Sequence, residues 1–175
     1  LLVYTLWFAL RLLVPEQQSI HSPALKKFTV ALLLLLFVQL CYGGFMAGLR
    51  AATVAPTWPT INGEWFPASL FNERGPANLV HNPFMVHFIH RGLAYLIVIL
   101  IIGWFISIQK TALSPWLHKT KILPLVLVLA QVLLGICTVL YSASATALVW
   151  FGVLHQFTAM LLLVSLVWVL YLVRK

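Results

Sequence analysis

The sequence predicts an all-α, polytopic membrane protein: a four-helix transmembrane bundle with a partial preceding helix and one long periplasmic loop. Three observations predict it. Of 175 residues, 62% are hydrophobic and only 8% charged, against about 25% charged in soluble domains. The apolar residues gather into four runs long enough to span a bilayer, and over such runs only helices satisfy their own backbone in lipid. The net charge of +8 comes from basic residues placed between the runs. That is how a membrane protein sets its orientation, so no nucleic-acid partner is expected.

The first element, residues 1–14, is apolar and ends at Pro15. It is too short to cross a core that takes roughly 20 residues. It also lacks the basic start and cleavage site of a signal peptide. It reads as the tail of a preceding transmembrane helix, which makes the chain a piece of a longer protein. Residues 15–27 form a cytoplasmic loop. The bundle occupies residues 28–173, with spans at 28–49, 84–108, 122–141 and 147–173.

Orientation follows from the loops. Arg11, Lys26, Lys27, Lys110, Lys119, Lys121, Arg174 and Lys175 lie on one side. The other side has Arg50 and Arg74, with Glu64 and Glu73 beside them. The lysine-rich side is cytoplasmic, and the loop 50–82 is periplasmic. The expected location is the inner (plasma) membrane, multi-pass, with the C-terminus in the cytoplasm. Pro56, Pro59, Pro67, Pro76 and Pro83 argue against regular structure in the loop. Trp58 and Trp65 suit a loop lying on the membrane interface. Cys41 and Cys137 read as small packing residues inside apolar runs.

A short internal repeat relates the spans. The first reads "QLCYGGF" from Gln39 and the third "QVLLGIC" from Gln131; each has Gln followed four residues later by Gly. The second reads "HRGLAY" from His90 and the fourth "HQFTAM" from His155; each has Ala four residues after His. Asn82-Pro83 reads as a helix cap followed by Pro at the first helical position, which puts His90 about 11 Å down its helix. A fourth helix starting near Ser144 or Thr146 puts His155 roughly 14 to 16 Å down.

Titratable groups at membrane depth are usually there for function. A lone intramembrane histidine is often a helix–helix hydrogen bond, and Gln39 and Gln131 are more often interhelical glue than ligands. A matched pair of histidines facing each other across a bundle can instead take both axial positions of one haem iron. Zinc would want four ligands, and no further Cys/His cluster lies near. Gly43, Gly44 and Gly135 allow close approach of the other two helices, and Ala94 and Ala159 sit one turn below the histidines. His87, three residues before His90, falls on nearly the same face. It reads as an alternative ligand, a partner behind the ligand, or an interfacial histidine with no task. Arg91 pairs with a haem propionate or bonds loop carbonyls. His81 lies in the loop, and His21 and His118 on the cytoplasmic side are uninformative.

Three stretches, "GGFMAGLRAATVAPTWPTINGEWFP" (43–67), "NLVHNPFMVHFIHRGLAY" (78–95) and "LHQFTAM" (154–160), resemble the haem A synthase family. Their order and spacing resemble the C-terminal four-helix half of that family's eight-helix protein. The resemblance implies a b-type haem between two histidines, carried over by motif to His90 and His155. It implies an enzyme that oxidises a methyl group of haem O to a formyl group, giving haem A for terminal oxidases. The family's catalytic bundle is the N-terminal one, with a Glu three residues before the His of its His-Arg motif. Here that position is His87, so no catalytic residue is carried over to this chain. The implied partners are the lipid bilayer, haem, the N-terminal half of the same protein, a haem O synthase and an electron-transfer partner. Two other readings stay open: a stand-alone membrane b-type cytochrome for electron transfer, and a non-haem transporter or assembly factor.

Overall fold

The computed structural model describes residues 1–71 and 75–174; Glu73, Arg74 and Lys175, three of the charges used above for orientation, lie outside the described residues. Among the described residues every regular element is helical. In order it forms α1 (Leu2–Leu13), α2 (Pro23–Gly48), α3 (Ala51–Val54), α4 (Asn78–His81), α5 (Pro83–Ile108), α6 (Pro115–Thr120), α7 (Leu123–Leu140) and α8 (Ala145–Leu172), with single 3-10 turns at Glu16–Gln18 and Ala68–Phe71. Four helical stretches, Pro23–Gly48, Pro83–Ile108, Pro115–Leu140 and Ala145–Leu172, are long and apolar enough to cross a membrane. Leu34, Phe37, Ile99, Leu133, Val149 and Phe157 on these helices are all exposed. Water would not tolerate so much apolar surface, whereas lipid covers it without cost.

Local chemistry sets the helix ends. α1 stops because Val14 precedes Pro15 and takes the extended conformation (φ −100°, ψ 116°) that a following proline imposes. α2 begins at Pro23, five residues before the apolar run, since proline's fixed φ suits a first turn. It ends where Arg50 turns left-handed at φ 50°. Asn82 caps α5 as the Asn-Pro pair predicts, its Oδ1 accepting from the amides of Phe84 (3.0 Å) and Met85 (3.4 Å). Between the second and third expected spans the structure adds α6, capped by Ser114, whose Oγ accepts from Leu117 N at 3.3 Å. Ser-Pro at a helix start is the signal that was available there. The loop 50–82 is also less irregular than its prolines imply, because short helical turns fit between them.

The residues divide into two compact units. One comprises Leu1–Leu36, Ile97–Leu129 and Thr158–Lys175. Its core is built around Trp104, Ile101, Leu32, Leu162 and Leu166, all essentially inaccessible. Trp104 donates through Nε1 to Thr29 Oγ1 (3.1 Å), and that hydroxyl donates on to the Leu25 carbonyl (2.8 Å). No polar atom in this chain of bonds is left facing lipid. α6 is tied to α8 by Trp116 stacked on Trp168 (5.7 Å between centroids, 12° between planes) and by Trp168 Nε1 donating to Thr120 Oγ1. α1 is held by Trp7 meeting Tyr171 edge-on at 5.3 Å.

The second unit comprises Phe37–Leu96 and Ala130–Phe157. It holds the C-terminal part of α2, α3, α4, the N-terminal part of α5, the C-terminal part of α7 and the N-terminal part of α8. Asn82 Nδ2 donates to Ser69 O and Asn78 Nδ2 to Leu70 O, which stitches the 3-10 turn to the start of α5. Ser142 Oγ donates to Ala52 O at 3.1 Å and so joins the end of α7 to α3.

Trp104→Phe removes the indole N–H and part of the ring volume in the first unit. The expected loss is about 1–2 kcal/mol of folding stability, read as a lowered midpoint in denaturant titration of the detergent-solubilised chain. An unchanged midpoint contradicts the Thr29–Trp104 link.

Candidate functional site

In the second unit the sequence repeat becomes a spatial one. α5 starts at Pro83 and puts His90 seven residues in; α8 starts at Ala145 and puts His155 ten residues in. At 1.5 Å per residue these depths are about 11 and 15 Å. The two rings meet with centroids 6.4 Å apart and planes at 63°.

Each ring is held by a glutamine of the paired helix. Gln39 of α2 places its amide nitrogen 3.3 Å from His90 Nε2 and donates to the His90 carbonyl at 3.1 Å. Gln131 of α7 places its amide nitrogen 3.1 Å from His155 Nε2. His155 Nδ1 lies 3.0 Å from the Gln131 backbone oxygen. A carbonyl only accepts, so Nδ1 carries the proton and Nε2 presents a lone pair. That is the ligand form of a histidine, with a backbone carbonyl behind it fixing the ring. Gln39 Oε1, Gln131 Oε1 and His90 Nδ1 are buried without a partner.

The glycines explain how the rings fit. A Cβ on Gly135 would stand 3.0 Å from His155 Cε1, tight enough that the ring must give by a few tenths of an ångström, whereas one on Gly43 would meet His90 Cε1 at 3.6 Å, an ordinary contact. Gly44 has no such neighbour within 4 Å, so its expected packing role is not seen.

His87 and Arg91 do something different. His87 is buried, 1% exposed, and its Nε2 accepts from Arg91 Nε at 3.0 Å. Burial excludes the idle interfacial role considered for it. Arg91 NH1 donates to the carbonyls of Pro59 and Thr60, each at 3.0 Å, and NH2 to that of Thr57 at 2.6 Å. Of the two roles the sequence left open, bonding loop carbonyls is the one present. Three of the five guanidinium donors go to the loop and one to His87, leaving one N–H for any other acceptor. The bound segment is a built turn. Thr57 Oγ1 donates to Thr60 O and accepts from Asn62 N; Ile61 and Glu64 exchange backbone bonds around Asn62 (φ 51°) and Gly63 (φ 93°). Both positive φ values are those an Asn-Gly turn supplies at low cost. Trp58 is pinned to Tyr95 OH through its Nε1 at 3.1 Å. His81 is exposed, as expected of a loop residue.

Among the described residues no group of three or more His, Cys, Asp or Glu converges on one point. The pair His90–His155 therefore offers two nitrogen donors to one centre and nothing more. Two imidazoles bound on opposite sides of one metal, at about 2 Å per metal–nitrogen bond, have centroids about 6 Å apart, close to the spacing observed.

Fold and site together define a multi-pass helical membrane protein with an inward-facing histidine pair. The sequence profile of the cytochrome oxidase assembly protein family matches residues 1–167, and the chain belongs to that family. It is similar to a Heme A synthase of Flavobacterium psychrophilum, 33% identical over 98% of this chain and 50% of the relative. A Heme A synthase of Flavobacterium johnsoniae is 34% identical with the same coverage. One from Rhizorhabdus wittichii is 36% identical over 88% of this chain and 42% of its own length. The chain thus spans about half the length of the curated relatives it matches. No solved structure matches it.

Two outcomes follow from the geometry. Gly135→Ala pushes the His155 ring by a few tenths of an ångström and strains its bond to the Gln131 carbonyl; the Nδ1–H signal in ¹⁵N-histidine spectra shifts or broadens, whereas Gly44→Ala leaves it in place. Identical spectra for both variants contradict the packing account. Arg91→Lys replaces a four-bond fork with a point charge. Amide exchange at residues 57–62 then speeds up by about tenfold or more, the factor for losing roughly 1.4 kcal/mol of charged hydrogen bonds. Unchanged exchange contradicts the latch.

Proposed function

We propose that this chain is the haem-carrying half of a haem A synthase and holds one b-type haem between His90 and His155. The whole protein is then an oxidoreductase that converts haem O to haem A, methyl to formyl. The observation that carries the reading is the pair of imidazoles at 6.4 Å, drawn from paired helices and each held by a glutamine. The spacing fits two histidine nitrogens that would hold one iron between them. Gln39 Oε1, Gln131 Oε1 and His90 Nδ1, buried without protein partners beside the pair, fit a site that holds a polar group. The relatives are Heme A synthases, which favours synthesis over a stand-alone electron carrier.

A haem held there supplies a one-electron redox couple at fixed depth in the bilayer. The protein's part is orientation. The Gln131 carbonyl keeps the His155 proton on Nδ1, and Gly135 gives the ring its space. Arg91 fixes the turn 57–64 beside the site and leaves one N–H for a propionate. The two ligand histidines are committed, and none of the four long helices carries a carboxylate. The general acid–base work of the oxidation is therefore assigned to the other half of the protein. In this reading residues 1–14 end a helix of that half, 15–27 are cytoplasmic, and 28–173 form the haem bundle, with the loop 50–82 periplasmic in a plasma-membrane protein. A haem O synthase and an electron-transfer protein complete the partner set.

Haem titration into the purified chain, with pyridine haemochrome quantitation, tests the reading. One low-spin haem per chain is expected. His90→Ala and His155→Ala each lower affinity by at least about tenfold, while His87→Ala retains haem, since its ring is spent on Arg91. A folded chain that takes up no haem, or retention in both ligand variants, overturns it.

A further inference from the structure

A cavity of about 230 Å³ opens in the first unit, where α1 and α8 end. Trp7 and Arg11 of α1, Glu16 of the next turn, Tyr171 and Arg174 line it. Arg174 stands two residues past Leu172, the end of α8. That helix is long and apolar enough to cross a membrane, so its end lies at a lipid–water interface. Arg174 Cζ sits over the Tyr171 ring, 3.5 Å from the centroid, and Trp7 meets the same ring edge-on at 5.3 Å. Stacking uses the face of a guanidinium and leaves its N–H donors, which point outward in its own plane. The main chain there is tied as well. Lys26 Nζ donates to Arg174 O at 2.9 Å, and Ile20 N to Leu172 O at 2.8 Å. Arg174 NH1 is buried and, among the described residues, has no hydrogen-bond partner. A buried, pre-oriented guanidinium N–H fits a charged oxygen acceptor.

We propose that this cavity binds the phosphodiester of an anionic membrane lipid, with Arg174 as the main donor and Arg11 beside it. The inference is independent of the haem reading. Basic pockets among membrane helices recognise lipid headgroups by the same chemistry. Charge selects the kind of phosphate. Arg11 and Arg174 against Glu16 leave one net positive charge in the lining, and a phosphodiester carries one negative charge. A phosphate monoester carries about −1.5 to −2 at neutral pH, and the Glu16 carboxylate opposes the second charge. The surface of α1 points to a lipid and away from a soluble diester. Tyr4, Phe8 and Leu12 follow at four-residue spacing, all exposed, and form one apolar stripe along the helix. Arg11 lies three residues after Phe8, on the neighbouring row. A headgroup held at Arg11 and Arg174 thus has a path for its acyl chains down α1.

The test titrates the purified chain in mild detergent with phosphatidylglycerol and phosphatidylcholine of the same acyl chains, and reads bound lipid by native mass spectrometry. One phosphatidylglycerol should bind, and phosphatidylcholine, whose choline offsets the phosphate charge, should bind more weakly. Arg174→Gln should weaken phosphatidylglycerol by at least about tenfold, the scale of charged hydrogen bonds. Lys110→Gln, at an exposed lysine beyond α5, should leave it unchanged. Glu16→Gln should strengthen phosphatidic acid, a monoester, more than phosphatidylglycerol. Equal binding of phosphatidylglycerol and phosphatidylcholine, or equal effects of Arg174→Gln and Lys110→Gln, overturns the proposal. Inorganic phosphate that displaces the lipid at equal concentration makes the ligand a soluble anion and overturns the lipid assignment. Should Arg174→Gln fail to fold, wild-type protein decides. A phosphatidylglycerol carrying a photoreactive diazirine near its glycerol should label residues 7–16 and 171–174, and labelling confined to other segments overturns the site.

Discussion

Two imidazole rings inside an apolar membrane protein need partners for four nitrogens, and lipid provides none. Gln39 and Gln131 answer that need for three of the four; His90 Nδ1 has no partner. Gln131 answers it twice for His155, through its backbone oxygen and its side-chain amide. Gln39 covers the Nε2 of His90 and also binds the backbone of the same residue. At Gly135 the His155 ring passes 3.0 Å from where a Cβ would be, so a side chain there would push the ring. The constraint explains why polar residues occur at matched places in otherwise apolar helices. Each histidine brings a glutamine, and beside His155 the close packing of ring against helix favours glycine at position 135.

The same accounting covers the outer end of α5. Arg91 is a cation near membrane depth, and its cost is met by three carbonyls of one turn and one ring nitrogen of His87. In return the turn gains a fixed position, with Trp58 bound to Tyr95 and the Asn62-Gly63 corner closed by Ile61 and Glu64. The Thr-Trp-Pro and Asn-Gly motifs, separate strings in the sequence, are therefore parts of one structure whose anchor is Arg91.

Composition and hydropathy sufficed for the four spans because a bilayer imposes length and apolarity with few exceptions. The Asn82-Pro83 start of α5 was legible because a cap is a local event. The histidine pair was legible as a matched placement, and its spacing of 6.4 Å is the tertiary fact that placement alone could not supply. Gln39 and Gln131 were read as helix–helix glue. They are hydrogen-bonded across helices, but to the histidines themselves, and single-sequence patterns do not name partners. His87 looked interfacial because helical spacing puts it one turn above His90; that α5 buries it entirely depends on the loop folded against it. α6 was missed because a six-residue helix carries little periodicity and lies among charges that read as loop.

The central claim is that one iron is bound by the nitrogens of His90 and His155 together. Pulsed electron paramagnetic resonance of the ferric, haem-loaded chain, prepared with ¹⁵N-labelled histidine, counts those nitrogens directly. The account predicts two directly coordinated histidine nitrogens on a single low-spin centre, falling to one when either His90 or His155 is replaced. A centre with one histidine nitrogen or none in the unmodified chain, or two that persist in both variants, would contradict it.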